Sequence, residues 1–270
     1  MKRFEITDAA GCRHLPAPTP RILSLVPSLT ELIFDLGLRD RLVGRTAFCV
    51  HPANEIKKIR SVGGTKQVNW AKVEAASPTH ALVNIDENPK ELAEALEQRG
   101  IEVIVTHPIS PSDNIELFKM MGALFERETA ANRLIERFLK AQKRLAAQAE
   151  DLPNLDVLYL IWQAPYMTVS RDTYISKMLA SIGWRTLGHD DACRYPEIPE
   201  DSALFTQADK ILFATEPFPF KQQHLDKFAN RHPKLKDRLM IVDGEMLSWY
   251  GSRSIKGLSY LATLADQTKR

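Results

Sequence analysis

TAANRLIERFLKAQKRLAAQAED, residues 129–151, is the longest helical pattern in the chain, with neither glycine nor proline before Pro153. Leu134, Phe138 and Leu145 fall near one face, while Arg133, Glu136, Arg137, Lys140 and Lys143 lie mostly elsewhere. That is the stripe of an amphipathic helix. About 22 residues at 1.5 Å each make a rod of roughly 33 Å, long enough to run from one lobe of a protein to another.

On both sides of this rod, short apolar strands alternate with helices. Upstream, an extended piece around residues 4–7 and a turn at Gly11 lead to Pro16, Pro18 and Pro20, whose spacing forces a straight strap. RILSLV, residues 21–26, is a strand that Pro27 ends. Ser28-Leu29-Thr30-Glu31 then reads as a capping box for a helix closed by Gly37. Strands are expected near 42–45, 81–85 and 101–106. The expected helices are Asn69-capped through Ala76, 89–99 ended by Gly100, and one from Ser112 or Asp113 through Met121. Downstream, strands are expected at 156–161, 167–170, 210–214 and 240–242, with helices at 174–181, 202–207, 220–230 and 254–266. Strands and helices alternating at this spacing predict mainly parallel sheets covered by helices. The expected fold class is therefore α/β: an N-terminal lobe over 1–128, a joining helix over 129–151 and a C-terminal lobe over 152–270. Sheets of this kind bind ligands beyond the carboxyl ends of their strands.

Composition narrows the function only by exclusion. The chain has 270 residues, 44% of them hydrophobic and 26% charged, which is ordinary for globular proteins. Its 36 basic and 34 acidic residues nearly cancel, giving no footprint for nucleic acid or a membrane surface. Cys12, Cys49 and Cys193 form no CxxC pair and read as free thiols. Glu5 and Asp8 interrupt any apolar run after Met1-Lys2-Arg3, so no signal peptide is visible and no segment is long enough to span a bilayer. A native Met1 makes the expected compartment the cytoplasm; a trimmed chain makes it the periplasm or cell surface.

Several passages carry a family resemblance. They are Ile6-Thr7-Asp8-Ala9-Ala10-Gly11, the proline strap, Arg21-Ile22-Leu23-Ser24-Leu25-Val26-Pro27-Ser28-Leu29-Thr30-Glu31, and Gly37 followed by Leu42-Val43-Gly44. Val73-Glu74-Ala75-Ala76-Ser77-Pro78-Thr79-His80-Ala81-Leu82-Val83 and the mid-chain helix complete the series. In this order they resemble the receptors for vitamin B12 and ferric siderophores that serve ABC importers, over nearly the whole chain. The resemblance implies two lobes joined by one rigid helix, little closing motion, and ligand gripped in a cleft between the lobes. It implies a cobalamin, haem or ferric siderophore as ligand; no motif calls for a resident cofactor. It also implies a permease partner docked through an acidic residue on each lobe. The matching positions here hold Ala71 and Gly251, with Glu74 about one helical turn beyond Ala71. That departure argues against permease docking.

The candidate ligand contacts follow. Ser28 stands just past the first strand, and Phe48 lies in the loop Phe48-Cys49-Val50-His51-Pro52. If that loop is extended, Cys49 and His51 point the same way and form a thiol–imidazole pair suited to a metal centre; otherwise they are a buried thiol and a loop histidine. Lys66, after Gly63-Gly64-Thr65, either closes an anion-wrapping turn or is a solvated lysine on a plain one. Asn84 and Glu87 follow a strand end, while Asn88 reads as the cap of the helix after Pro89. By the resemblance, Trp162 and Tyr166 present one apolar edge and Trp249-Tyr250 an aromatic pair, suited to a large planar ligand. Arg253 either grips a ligand carboxylate or phosphate or forms a salt bridge at the start of the last helix. His14, His80, His107, His189, His224 and His232 read as structural or surface residues.

An enzyme is the rival class, yet no GxSxG, HExxH or GxGxxG occurs and no nucleophile–base pair can be placed. The expected function is non-catalytic binding of a corrinoid or metal complex. The alternatives are a metal-ion chaperone or sensor using Cys49 and His51, and an enzyme of unidentified type.

Overall fold

The computed structural model describes residues 5–150 and 152–267. The chain forms two α/β units. The first takes the described residues up to Pro108, then Ser112–Phe138 and the short return Tyr250–Arg253. The second takes Ile109–Pro111, Leu139–Trp249 and the described residues from Ser254 onward.

In the first unit, β1 (Ile6–Thr7) and β2 (Arg13–His14) form an antiparallel pair. There follow β3 (Ile22–Ser24), α1 (Pro27–Asp35), β4 (Leu42–Arg45), α2 (Trp70–Ala76), β5 (His80–Asn84), α3 (Lys90–Glu97), β6 (Glu102–Thr106) and α4 (Asp113–Leu124). The sheet order is β4-β3-β5-β6, with every neighbouring pair parallel. Strands β3 and β5 are buried along their whole length. Burial on both faces is why their centres, Ile22-Leu23 and Ala81-Leu82-Val83, are apolar without alternation. Leu23, Leu25, Ala81, Val83 and Val103 pack with Leu96 of α3 and Val73 of α2 into one core.

Helix α5 (Glu128–Ala149) follows, and the division between units falls inside it, after Phe138. Leu134, Phe138 and Leu145 are buried, as the stripe requires. The expected end of the helix at Asp151 lies outside the described residues, as does Phe4 of the expected first extended piece.

The second unit contains β7 (Leu155–Leu160), β8 (Tyr166–Met167), α6 (Tyr174–Ala180), β9 (Trp184–Thr186), β10 (Glu197–Ile198), α7 (Leu204–Gln207) and β11 (Lys210–Ala214). It ends with α8 (Gln222–Arg231), β12 (Leu239–Val242), α9 (Gly244–Ser248) and α10 (Ser254–Gln267). Its main sheet is again parallel, in the order β12-β11-β7-β9. Phe205, Phe213, Phe220 and Phe228 fill its core.

Local readings differ in several places, and the expected strand 167–170 shortens to Tyr166–Met167. Pro27 occupies the first turn of α1 and Val26 its cap, so Ser28 lies inside the helix and makes no capping box. Proline's fixed φ suits the first helical position and moves the start forward. Asn88 does not cap α3, whose cap is Pro89. Its side chain instead accepts from the Asn84 amide (2.9 Å) and donates to the Leu25 (3.2 Å) and Thr65 (2.8 Å) carbonyls. Strand β9 went unread because three residues after Gly183 are too few to show a period.

Candidate functional site

Because each main sheet is parallel, the carboxyl ends of its strands share one edge. In the first unit that edge carries the segments after Ser24, Arg45, Asn84 and Thr106. Exposed apolar side chains gather on two of these segments. Phe48 and Val50 follow β4 and are 59% and 45% exposed; Ile85 follows β5 and is 50% exposed. A Cβ at Gly64 would lie 3.5 Å from the Phe48 ring, so this glycine turn passes close to the ring. Polar groups stand among them. His107 Nε2 lies 3.5 Å from Asp86 Oδ1, and exposed Lys66 reaches the Asp86 carbonyl at 3.5 Å. Val50, Ile85, Asp86 and His107 were not anticipated as site residues. The available signal was an isoleucine one position past the end of an otherwise buried strand.

The other anticipated residues of this unit are mostly tied into its frame. Asn84 is buried; its Oδ1 accepts from the Asp86 amide at 2.8 Å, and its Nδ2 faces Thr106 Oγ1 at 3.4 Å. It shapes the turn rather than facing outward. The Tyr250 hydroxyl donates to Glu87 Oε1 at 2.8 Å. Burial pushes that hydroxyl well above the usual tyrosine range, and the Glu87 charge adds to the effect, with Ser28 and Thr106 close by in opposition. Arg253 is buried and its Nε donates to Glu31 Oε2 at 2.6 Å. The guanidinium is engaged in the salt bridge of the second reading, not held out to a ligand.

The thiol–imidazole pair takes the buried-thiol form. The chain turns over Thr46–Cys49, the Thr46 carbonyl accepting from the Cys49 amide at 3.3 Å. Cys49 is buried, its sulfur 3.0 Å from Thr30 Oγ1 and 3.2 Å from Thr46 Oγ1. Burial pushes the thiol above its ordinary value and so disfavours the thiolate a metal needs. His51 is half-buried. Among the described residues no group of three or more His, Cys, Asp or Glu side chains is placed to hold a metal ion.

In the second unit, Trp162 follows β7 and remains 41% exposed, with Phe218 edge-on at 5.5 Å between ring centres. Trp249 is buried, and its Nε1 donates to Glu216 Oε2 at 2.8 Å. Tyr166 is a core residue, seated against Phe205 and Phe228 with its hydroxyl accepting from Arg231 Nη2 at 3.3 Å. It offers no free ring face. Ala71 is exposed on α2, but Gly251 is buried at φ +74°, its amide donating to Asn114 Oδ1 at 2.6 Å. Gly251 is therefore not an outward-facing position.

Two parallel α/β units, apolar side chains at strand carboxyl ends and a helix shared by the units define a binding-protein architecture. The family described as periplasmic binding protein matches residues 22–237, and the chain belongs to it. Among curated relatives, the vitamin B12-binding protein of Pectobacterium carotovorum subsp. carotovorum is 22% identical over 92% of this chain and 89% of its own length. An uncharacterized ABC transporter substrate-binding lipoprotein of Bacillus subtilis is 25% identical over 90% of this chain and 78% of its own. Among solved structures, the periplasmic vitamin B12-binding protein of Vibrio cholerae matches with a TM-score of 0.76 at 18% identity, covering 94% of this chain and all 100% of that one. The haem complex of IsdE from S. aureus matches with a TM-score of 0.76 at 18% identity, covering 91% of this chain and 98% of that one. The fold is thus the two-lobed α/β fold with a connecting helix, as the sequence predicts.

Proposed function

We propose that this chain is a non-catalytic receptor for a large, partly planar metal complex: a cobalamin-type corrinoid, haem or a ferric chelate. The observation that carries the reading is the exposure of Phe48, Val50, Ile85 and Trp162 on the segments that follow strand carboxyl ends. Apolar groups left in water at the edge where parallel sheets take ligands support contact with an apolar ligand face. The names of the relatives support the ligand class. Lys66 and the His107–Asp86 pair supply polar partners for ligand side groups. Chemistry on the ligand is not part of the role.

Absorption titrations with cyanocobalamin, haemin and a ferric siderophore test the reading. Saturable one-to-one binding of one of them is expected; binding of none overturns it. The family works with ABC permeases, and we propose that any docking here does not use Ala71 or Gly251. Grafting a carboxylate at exposed Ala71 and measuring importer ATPase stimulation checks this. Fractionation of the host cell, with the mature N-terminus read by mass spectrometry, assigns the compartment.

A further inference from the structure

Edge strand β9 and helix α6 border a different place in the second unit. Arg171, Ser176, Lys177, Trp184, Arg185 and Thr186 line an open cavity of about 270 Å³. Strand β9 pairs with Leu155, Asp156 and Val157, so the cavity lies by the start of β7, at the opposite end of that strand from Trp162.

The lining holds three cations and no acid. One cation is answered from next door: Arg185 grips Asp156 with two bonds, Nε to Oδ1 at 2.6 Å and Nη2 to Oδ2 at 2.5 Å. Asp156 is held below the usual carboxylate range, first by the Arg185 hydrogen bond, against a little burial, then by attraction to Arg185 and Arg171. The adjacent Asp209 is turned to the Asp156 amide at 2.8 Å. One carboxylate cannot balance three cations, so Arg171 and Lys177 leave the wall positive. Arg171 Nε also reaches the Thr186 carbonyl at 3.5 Å, which places this side chain over β9.

The uncharged part of the lining is donor-rich as well. Ser176 and Thr186 are buried with their hydroxyls 2.6 Å apart. Two hydroxyls joined by one hydrogen bond keep a second proton to donate elsewhere. Trp184 is 1% exposed, and its indole N–H, a donor only, meets no acceptor among the described residues. Cations, hydroxyls and an indole around one small cavity suit an anion with several acceptor oxygens pointing different ways, which a tetrahedral oxyanion supplies and a planar carboxylate does not.

We infer that this cavity is an accessory site for a phosphate group, held by Arg171 and Lys177 over the Ser176–Thr186 hydroxyl pair. The group can belong to free phosphate or a small phosphomonoester, or to the headgroup of an anionic phospholipid. The site lies within the second unit and does not rest on the ligand proposed above.

The test uses the full chain and an Arg171→Gln/Lys177→Gln variant. Both positions are exposed, and matched thermal melts establish that the variant is folded. Inorganic phosphate is titrated at constant ionic strength against chloride while the Trp184 indole N–H resonance is followed. Co-sedimentation is measured with phosphatidylglycerol-containing vesicles and with pure phosphatidylcholine vesicles. A saturable phosphate shift that weakens about ten-fold or more in the variant assigns the site to free phosphate. Vesicle binding that needs phosphatidylglycerol and is lost in the variant assigns it to a headgroup. Binding of neither probe by the wild type, or equal binding by the variant, overturns the inference.

Discussion

His80 and Arg253 show what single side chains contribute to the first unit. The His80 ring sits edge-on to Phe125, with Nε2 3.4 Å from Glu102 Oε2, while Glu102 Oε1 meets His14 Nδ1 at 2.7 Å. Burial holds His80 below the usual imidazole range, the Glu102 charge opposes that, and His14 reinforces it. A histidine whose folded pKa is depressed contributes stability that is present above its unfolded value, near 6.5, and lost as pH falls through the folded value. The urea midpoint should therefore drop as pH is lowered from about 7 to about 5. The drop should be smaller in His80→Gln, and an identical drop in the variant would exclude His80 as a source. The Glu31–Arg253 pair is buried on both sides. Breaking it by Glu31→Gln or Arg253→Met should cost about 3–5 kcal/mol, because the opposite charge is taken away from a buried one. The double change Glu31→Leu/Arg253→Met should recover most of that in urea unfolding; simple additivity of the two losses would show that they act separately. The sequence presents Arg253 as a salt-bridge former or a ligand clamp but cannot name Glu31, which stands 222 positions away. A partner at that distance is set by tertiary structure.

Elements were legible where a local physical rule dominates. Helix α2 is seven residues long, and its Asn69 cap accepts from the Lys72 amide at 3.1 Å, as the residue types foretell. So short a helix has little stability of its own, and capping is a large share of it. Asn69→Ala should cost about 1 kcal/mol, read as faster amide exchange confined to α2. Unchanged exchange there would mean that tertiary packing alone holds the helix. The stripe of α5 was legible for a similar reason: Phe138 is buried while its neighbour Leu139 is 45% exposed, as 3.6-residue periodicity requires. The start of α1 was misread because two local signals compete, Pro27 at the first turn against Ser28 at the cap, and proline prevailed. Helix α9 and the single turn Gly251–Arg253 were missed because five and three residues carry no readable period.

At the scale of the whole molecule, two parallel sheets could be inferred because β/α alternation is a global pattern that survives local errors. The site was legible only in outline. The sequence marks strand ends, but it does not show which aromatic stays in water and which turns inward. Trp162 and Trp249 look alike as residues and differ in the structure: the first is 41% exposed and the second 5%, with its indole bound to Glu216. That difference separates two roles in one experiment. Trp249→Ala removes a buried ring and deprives Glu216 of a donor, so it should lower stability by about 3–5 kcal/mol whether or not the ring meets ligand. Trp162→Ala removes a half-exposed ring and should change stability far less. If Trp162 is a ligand anchor, its loss should weaken the bound corrinoid, haem or ferric chelate by roughly ten- to a thousand-fold, the about 1.5–4 kcal/mol of a desolvated aromatic contact. Calorimetric binding and thermal melts on both variants give four readings. Lost affinity with an unshifted melt for Trp162→Ala places the ligand on that ring. Unchanged affinity in that variant, with wild-type binding intact, removes Trp162 from the site and leaves Phe48, Val50 and Ile85 as the ligand contacts to test next.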